Sequence, residues 1–468
     1  MEANSENKKD IEISILKGDK LFNENTPFVI NLFAPESNNK SETRVNTDLI
    51  CVIDISRSMK YEKIYQVKQS LKILIDMMEQ KDRIAIVLFH KYAELLYDLD
   101  YLSENKKSDL KNLIDKIKTK SGTNIASGLE IAVDILKKEK QKINYEEGRA
   151  STVILLSDGC DNYMNDVKLG EKLKSLTKGE GLSFTLNTFG YGYDHDPKIM
   201  NRLANLRDGS FFLVEDYNKV GEYFVSVLGG CISMISKNAQ LEVKLINEDS
   251  KIMKIFGEKN LYSYELKDLF FKNNMLQFII GKEYTFVLEI LIDESKVKPD
   301  DIILEVTFTY EDILTKENIT LNKKYIYELK DLNFSKANEE YIRSKTYDVL
   351  ERALKLREKD KYGEGKKLLK DMKNWLKKNY KGNNNKYLID IENAEQIFEN
   401  SMSTNKSIIN TFSLISQNMF KRMGSNLNYS NDAQLQLQNQ FRINLRNSQT
   451  INSAQLKNFN IRKSIKFD

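Results

Sequence analysis

Cys51-Val52-Ile53-Asp54-Ile55-Ser56-Arg57-Ser58 is an apolar run that ends in three oxygen-bearing side chains at alternate positions. Strands of parallel sheets are covered on both faces and read as continuous apolar runs. Ligands of open α/β sheets sit just beyond the carboxyl ends of such strands. Asp54, Ser56 and Ser58 therefore stand where a buried strand would deliver a metal site to its own tip.

Two later segments supply what this stretch lacks. Thr123, in Ser121-Gly122-Thr123-Asn124, precedes a helical pattern, and Asp158 follows the apolar strand Thr152 to Leu156 in Leu156-Ser157-Asp158-Gly159. The series D-x-S-x-S, G-T and S-D-G resembles, in order and rough spacing, the metal-ion-dependent adhesion site (MIDAS) of the von Willebrand factor A (VWA) family. The resemblance covers roughly residues 48 to 236. It extends to Asp82-Arg83-Ile84-Ala85-Ile86-Val87-Leu88-Phe89 and to Asn187-Thr188-Phe189-Gly190-Tyr191-Gly192, which look like later strands of that fold.

The resemblance implies that Asp54, Ser56 and Ser58 form the first metal-binding loop, Thr123 the second and Asp158 the third. The ion would be Mg²⁺ or Mn²⁺, and an exposed Asp or Glu of a partner protein would complete its coordination. Hydroxyl ligands neutralise a hard cation poorly, which keeps one position electrophilic. The family commonly has glycine between the two serines, where this chain has Arg57. A long cation there would either repel the metal or pair with the incoming carboxylate, and its backbone is less free than that of glycine. A VWA fold that binds without metal is the alternative.

Around this unit the patterning changes. From Asp48 onward apolar strands (48–55, 83–89, 93–98, 151–157, 183–190, 210–215) alternate with amphipathic helices (61–79, 103–119, 125–140, 163–176, 197–206, 217–236), as in a doubly wound, mostly parallel sheet. After Ser236 the period becomes two, in Leu241 to Leu245, Met275 to Ile280, Thr285 to Ile292, Ile302 to Tyr310 and Ile319 to Tyr327, which indicates an antiparallel β-sandwich. Two β-rich segments, 11–16 and 28–34, precede the first parallel strand and need a partner; they are expected to complete the sandwich. The VWA domain would then be an insertion. The expected layout is a disordered 1–10, sandwich strands in 11–45, the VWA domain in 46–236, sandwich in 237–332, a helical hairpin or three-helix region in 333–402 and an Asn/Gln-rich basic tail in 403–468, mostly disordered.

At 468 residues with 41% hydrophobic side chains the chain is long enough for two or three ordinary cores. Three cysteines and two histidines are too few for a disulfide framework or paired zinc sites. The longest apolar stretch, Phe224 to Ile235, is too short to span a membrane, and Met1 to Asp10 is polar and acidic, so a cytoplasmic protein is expected. A formal charge of +4 gives no global field for nucleic acid.

Other candidates have plainer readings. Asp194-His195-Asp196-Pro197 reads as a helix N-cap, His90 as a loop histidine, Cys160 as a passive loop residue and Lys366, Lys367, Lys370, Lys373, Lys377 and Lys378 as a solvated helix face. No phosphate loop, H-E-x-x-H or G-x-S-x-G is present. A non-enzymatic, metal-dependent protein interaction module is thus the leading expectation. The order of VWA, sandwich and helices also resembles VWA-containing RING ligases without the RING, which leaves a non-catalytic substrate adaptor of a ubiquitin-transfer system as an alternative. A structural scaffold with a vestigial metal site is a third.

Overall fold

The computed structural model describes residues 11–19, 25–35, 44–146, 148–158, 161–191, 197–214, 220–256, 263–293, 295–327, 334–380 and 386–399. Two antiparallel strands come first, β1 (Glu12–Lys17) and β2 (Thr26–Phe33). The chain then leaves for an α/β unit: β3 (Thr47–Asp54), a 3-10 turn (Arg57–Met59), α1 (Glu62–Met77), β4 (Arg83–Phe89), β5 (Ala93–Tyr101), α2 (Glu104–Asp115), α3 (Ile125–Lys140), β6 (Ala150–Ser157), α4 (Asp166–Thr177), β7 (Thr185–Tyr191), α5 (Pro197–Asn205), β8 (Phe211–Val214) and α6 (Val220–Ile232).

The strands of this unit lie in the order β5-β4-β3-β6-β7-β8. Every neighbouring pair is parallel except β4 with β5, which closes the edge as a hairpin. The sequence of β3 explains its place at the centre. Leu49, Cys51 and Ile53 enter the core under α1, α2 and α6, whereas Ile50 and Val52 enter the core under α3, α4 and α5. A period-two alternation between two apolar layers leaves no polar face, hence the unbroken apolar run. Strand order reverses between β3 and β6, and open α/β sheets place their ligand crevice at such a switch point.

The remaining strands are β9 (Met234–Ser236), β10 (Ala239–Leu245), β11 (Lys251–Ile255), β12 (Ser263–Lys267), β13 (Phe270–Met275), β14 (Phe278–Ile279), β15 (Glu283–Leu291), β16 (Ile302–Glu311) and β17 (Asn318–Ile326). They form two antiparallel sheets, β1-β2-β15-β11 and β12-β13-β10-β16-β17, with β14 pairing β9 beside them. Phe28, Ile30, Leu32, Leu288 and Ile290 of the first sheet share one core with Leu241, Val243, Phe271, Val306 and Phe308 of the second. The N-terminal strands do complete the sandwich, and the α/β unit is inserted into it. Entry and exit run side by side, with Val45 N donating to Ile232 O at 3.0 Å, so the insertion separates the sandwich strands by very little.

The expected strand Met275 to Ile280 is two strands. Met275 ends β13, and the break follows from a contact with the inserted unit: Leu276 N donates to Asp208 Oδ2 at 3.0 Å, and Gln277 Nε2 donates to Asp208 O at 2.8 Å. Three helices follow, α7 (Phe334–Glu358), α8 (Tyr362–Asn379) and α9 (Lys386–Glu399). The α7 residues Ala337 and Tyr341 cover Val29 and Val287 on the outer face of the first sheet, and Tyr341 Oη donates to Glu289 at 2.7 Å. Helical packing of this kind explains why β2 is buried nearly throughout. Gly363 lies in the first turn of α8, where a Cβ would meet open space; the chain turns just before it at Asp360, in the left-handed region with φ 57°. Lys366, Lys367, Lys370 and Lys377 are exposed, while Lys373 pairs with Glu392 and Glu395 of α9. Asp194, His195, Asp196, Cys160 and the basic tail lie outside the described residues. Among the described residues no helix is long and apolar enough to cross a membrane.

Asp208 ties the two units together at a measurable cost. Its Oδ1 is buried with no hydrogen-bond partner among the described residues, and burial raises its carboxyl to about 6 against the opposing pull of the Lys282 ammonium. A carboxyl whose folded pKa exceeds its unfolded one gives full stability below the unfolded value, lost as pH rises through the folded value. Asp208→Asn keeps an acceptor for Leu276 and removes the charge. The variant is expected to gain on the order of 2 kcal/mol over the parent above pH 7, and almost nothing at pH 4. Urea unfolding at both pH values measures this, and equal stabilities at neutral pH would refute it.

Candidate metal centre

Three loops at the carboxyl edge of the parallel sheet build the site. The first leaves β3 at Asp54, whose side chain is fully buried. Asp54 Oδ1 accepts from Ser56 N at 2.7 Å, and Oδ2 accepts from Ser157 Oγ at 2.6 Å. Ile55 N donates to Phe89 O at 2.8 Å and Ile55 O accepts from Lys120 N at 2.6 Å, which fixes the chain between neighbouring strand ends. Ser56 is extended, the 3-10 turn follows, and the buried Met59 anchors it in the core. Alternation and turn together bring Ser56 Oγ to 3.0 Å from Ser58 Oγ.

Asp158 follows β6 directly. In the β3–β6 register Ile53 faces Leu156, so the tips of the two strands are adjacent. Ser58 Oγ donates to Asp158 Oδ1 at 2.7 Å, and Lys63 of α1 donates from Nζ to Asp158 Oδ2. The Thr123 loop is tied to the segment after Asp158: Thr123 N donates to Asn162 Oδ1 at 2.8 Å, and Thr123 O accepts from Asn162 N at 2.9 Å. Asp161 receives Ile125 N at 2.6 Å and the amides of Tyr163 and Met164, each at 2.7 Å. Gly122 makes the preceding turn with φ 89°, where a Cβ would press on Lys91 at 3.0 Å.

The structure therefore brings Asp54, Ser56, Ser58 and Asp158 into one hydrogen-bonded cluster, and it bonds the Thr123 loop to Asp161 and Asn162 of the segment that follows Asp158. Burial raises the Asp54 carboxyl to about 6, opposed by the hydrogen bonds from Ser157 and Ser56 and reinforced by the Asp158 charge. The Lys63 ammonium already answers the Asp158 charge, and Ser56 and Ser157 answer Asp54, so a metal ion here would be a second cation. The donor set fits a hard one. The donors gathered here are the hydroxyls of Ser56 and Ser58 and the carboxylates of Asp54 and Asp158, all oxygens; among the described residues no group of three or more His, Cys, Asp or Glu able to hold a metal is found. Octahedral bonds of about 2.1 Å put adjacent oxygens about 3.0 Å apart. The Ser56–Ser58 and Ser58–Asp158 spacings of 3.0 and 2.7 Å are those of O–H···O hydrogen bonds, which hold the oxygens close enough for such edges.

Arg57 costs the loop little. It sits in the 3-10 turn with an exposed side chain, and the positive φ in this loop belongs to Tyr61, at 66°. His90 directs Nδ1 to Ser121 O at 3.2 Å, in line with a structural role. Sequence reasoning missed Ser157, Lys63, Asp161 and Asn162. Ser157 had a signal, since its place before Asp158 in S-D-G puts it opposite Asp54 once β3 and β6 pair. Lys63 had none, because it reads as an ordinary helix-surface lysine.

Comparison with known proteins agrees with this architecture. The family model of the von Willebrand factor type A domain matches residues 48–225. Inter-alpha-trypsin inhibitor heavy chain H2 of Sus scrofa is 29% identical over 179 residues, 38% of this chain and 19% of that protein. Protein YfbK of Escherichia coli (strain K12) is 25% identical over 208 residues, 44% of this chain and 35% of that one. The matched part thus spans only about a fifth to a third of these curated relatives. Among solved structures, von Willebrand factor type A from Catenulispora acidiphila aligns with 90% of this chain and 99% of its own, at a TM-score of 0.63 and 14% identity. The ArnB paralog VWA2 from Sulfolobus acidocaldarius aligns with 89% of this chain and 100% of its own, at a TM-score of 0.53 and 16% identity. Both likenesses are of fold. These matches support the VWA assignment and not the likeness to RING ligases, which rests on the order of segments alone. Residues 48–225 of this chain are a von Willebrand factor type A domain.

Proposed function

We propose that the VWA domain is a metal-dependent protein interaction module, with Mg²⁺ or Mn²⁺ held by Asp54, Ser56, Ser58, Thr123 and Asp158. The observation that carries this reading is the cluster of oxygens at the tips of β3 and β6, where Asp54, Ser56, Ser58 and Asp158 are hydrogen-bonded in series. The bound ion would supply an electrophilic position for an Asp or Glu of the partner. The chain's own residues do the rest. Ser157 and Ser56 N fix the Asp54 carboxylate, Ser58 and Lys63 fix that of Asp158, and Asn162 with Asp161 fixes the main chain of the Thr123 loop.

The surrounding surface suits an acidic partner. Arg57, Lys60 and Tyr61 are exposed on the loop after β3 and Tyr163 on the segment after β6, while Lys91 and Tyr92 are exposed on the β4–β5 turn that bonds to Ser121 of the Thr123 loop. Tyrosine and arginine are over-represented among the side chains that dominate binding energy, and complementary charge steers encounter. No catalytic step is assigned: Ser56 and Ser58 bond to each other and to Asp158, and His90 is turned to a main-chain carbonyl. A cytoplasmic location belongs to the same proposal.

Titration of Mg²⁺ and Mn²⁺ into the folded chain by calorimetry is expected to give one site, abolished in Asp54→Ala/Ser56→Ala. Ser157→Ala removes a donor behind a ligand rather than a ligand, and is expected to lower metal affinity about 10- to 100-fold while the protein stays folded. Capture of partners from lysate with Mg²⁺ and with EDTA then tests the binding role. Proteins lost equally on chelation and in Asp54→Ala/Ser56→Ala support metal-bridged recognition. Capture indifferent to both overturns it and favours the scaffold reading.

A further inference from the structure

The Asp158 carboxylate already holds two protein donors, and one of them carries a full charge. Ser58 Oγ donates to Oδ1 at 2.7 Å and the Lys63 ammonium donates to Oδ2. This is not an ordinary surface pair. The Asp158 side chain is fully buried and that of Lys63 is 15% exposed, so the charges interact with little screening. The lysine is also held from behind. It lies in the first turn of α1, a helix fixed to the core by Val67, Leu71 and Leu74, with the buried Met59 just ahead of it. Arg57 and Lys60, nearer to the serines in sequence, are exposed instead.

We propose that Lys63 is a built-in cation that tunes this centre, lowering its affinity for the metal and raising the affinity of the metal-loaded site for an anionic ligand. The inference rests on the metal reading above. The charge argument is direct. Two carboxylates and one ammonium leave a single net negative charge, so a divalent ion turns the site positive rather than neutral. Attraction between the ion and Asp158 is weakened by the ammonium on the same carboxylate, and a carboxylate arriving from outside meets the surplus positive charge. Lys63 acts through Asp158 and is a positioning residue, not a metal ligand.

The test uses the full chain with Lys63→Gln, which keeps a donor without the charge, and Lys63→Met, which removes both. Circular dichroism and thermal melts establish folding. Mn²⁺ is titrated first, followed by electron paramagnetic resonance, and acetate is then titrated into the Mn²⁺-saturated proteins. Lys63→Gln is expected to bind Mn²⁺ about tenfold more tightly or better than the parent, and once loaded to bind acetate more weakly. Lys63→Met, if folded, should shift both in the same directions. Parent Mn²⁺ binding with unchanged or weaker affinity in Lys63→Gln overturns this inference alone. Absence of Mn²⁺ binding in parent and variants overturns the metal reading together with it. Binding in Lys63→Gln but not in the parent supports the inference in its strongest form.

Discussion

The pairing of β3 with β6 is the constraint on which the rest depends. Its register sets Ile53 against Leu156, and the next residues along the two strands are Asp54 and Ser157, joined by a 2.6 Å hydrogen bond. A slip of one residue would send the alternating side chains of β3 into the wrong apolar layers, so the two cores enforce this register. Packing of aliphatic side chains thus fixes where two buried carboxylates meet. The cost of that meeting is visible in the raised Asp54 carboxyl.

The opposite edge of the same strands is locked by charge. Asp48 near the start of β3 receives Arg83 Nε and Nη2, each at 2.7 Å, and Arg149 Nε at 2.7 Å; Arg83 also bonds to Glu139 of α3. These groups are nearly fully buried, and such a network holds only when its charges stay paired. It joins β4, β3 and the approach to β6, the three segments whose far ends build the site. The sandwich adds a second support, with Val45, Ala150, Cys231, Met234 and Ile313 forming an apolar seam between the units.

Legibility in the sequence followed the range of the forces. Period-two and period-3.6 patterns are local, and they revealed the parallel strands, their helices and the later sandwich strands. The D-x-S-x-S, G-T and S-D-G segments were legible because each follows or precedes an element with a strong pattern. β9 was missed inside the expected helix 217–236, which ends at Ile232, and β11, β12 and all of β13 but Met275 were missed too; Lys251–Ile255 and Ser263–Lys267 are short and rich in charge, and their strand character comes from the partners β15 and β13. The split of Met275 to Ile280 was hidden for a similar reason, since the Asp208 carboxylate that breaks it lies 68 residues away in the chain. Lys63 was invisible because its partner is chosen by the tertiary fold.

Tyr61 is where stability and surface chemistry part. It precedes α1 as its N-cap with φ 66° and ψ −119°, accepts no helix amide through its side chain, and is 86% exposed. Glycine would relieve that backbone, and a serine or aspartate would cap the helix better. The phenol gains neither burial nor a cap. Strain of this kind costs on the order of 1–3 kcal/mol and persists only where the surroundings over-determine it. Here they do, because Met59 is held in the core on one side and α1 on the other, with only Lys60 and Tyr61 between the 3-10 turn and the helix. The same tight connection leads into the first turn of α1, where Lys63 meets Asp158, and it leaves the Tyr61 ring exposed. The short loop therefore exchanges helix-start stability for a fixed juxtaposition of the Ser58 hydroxyl and the Lys63 ammonium on the Asp158 carboxylate.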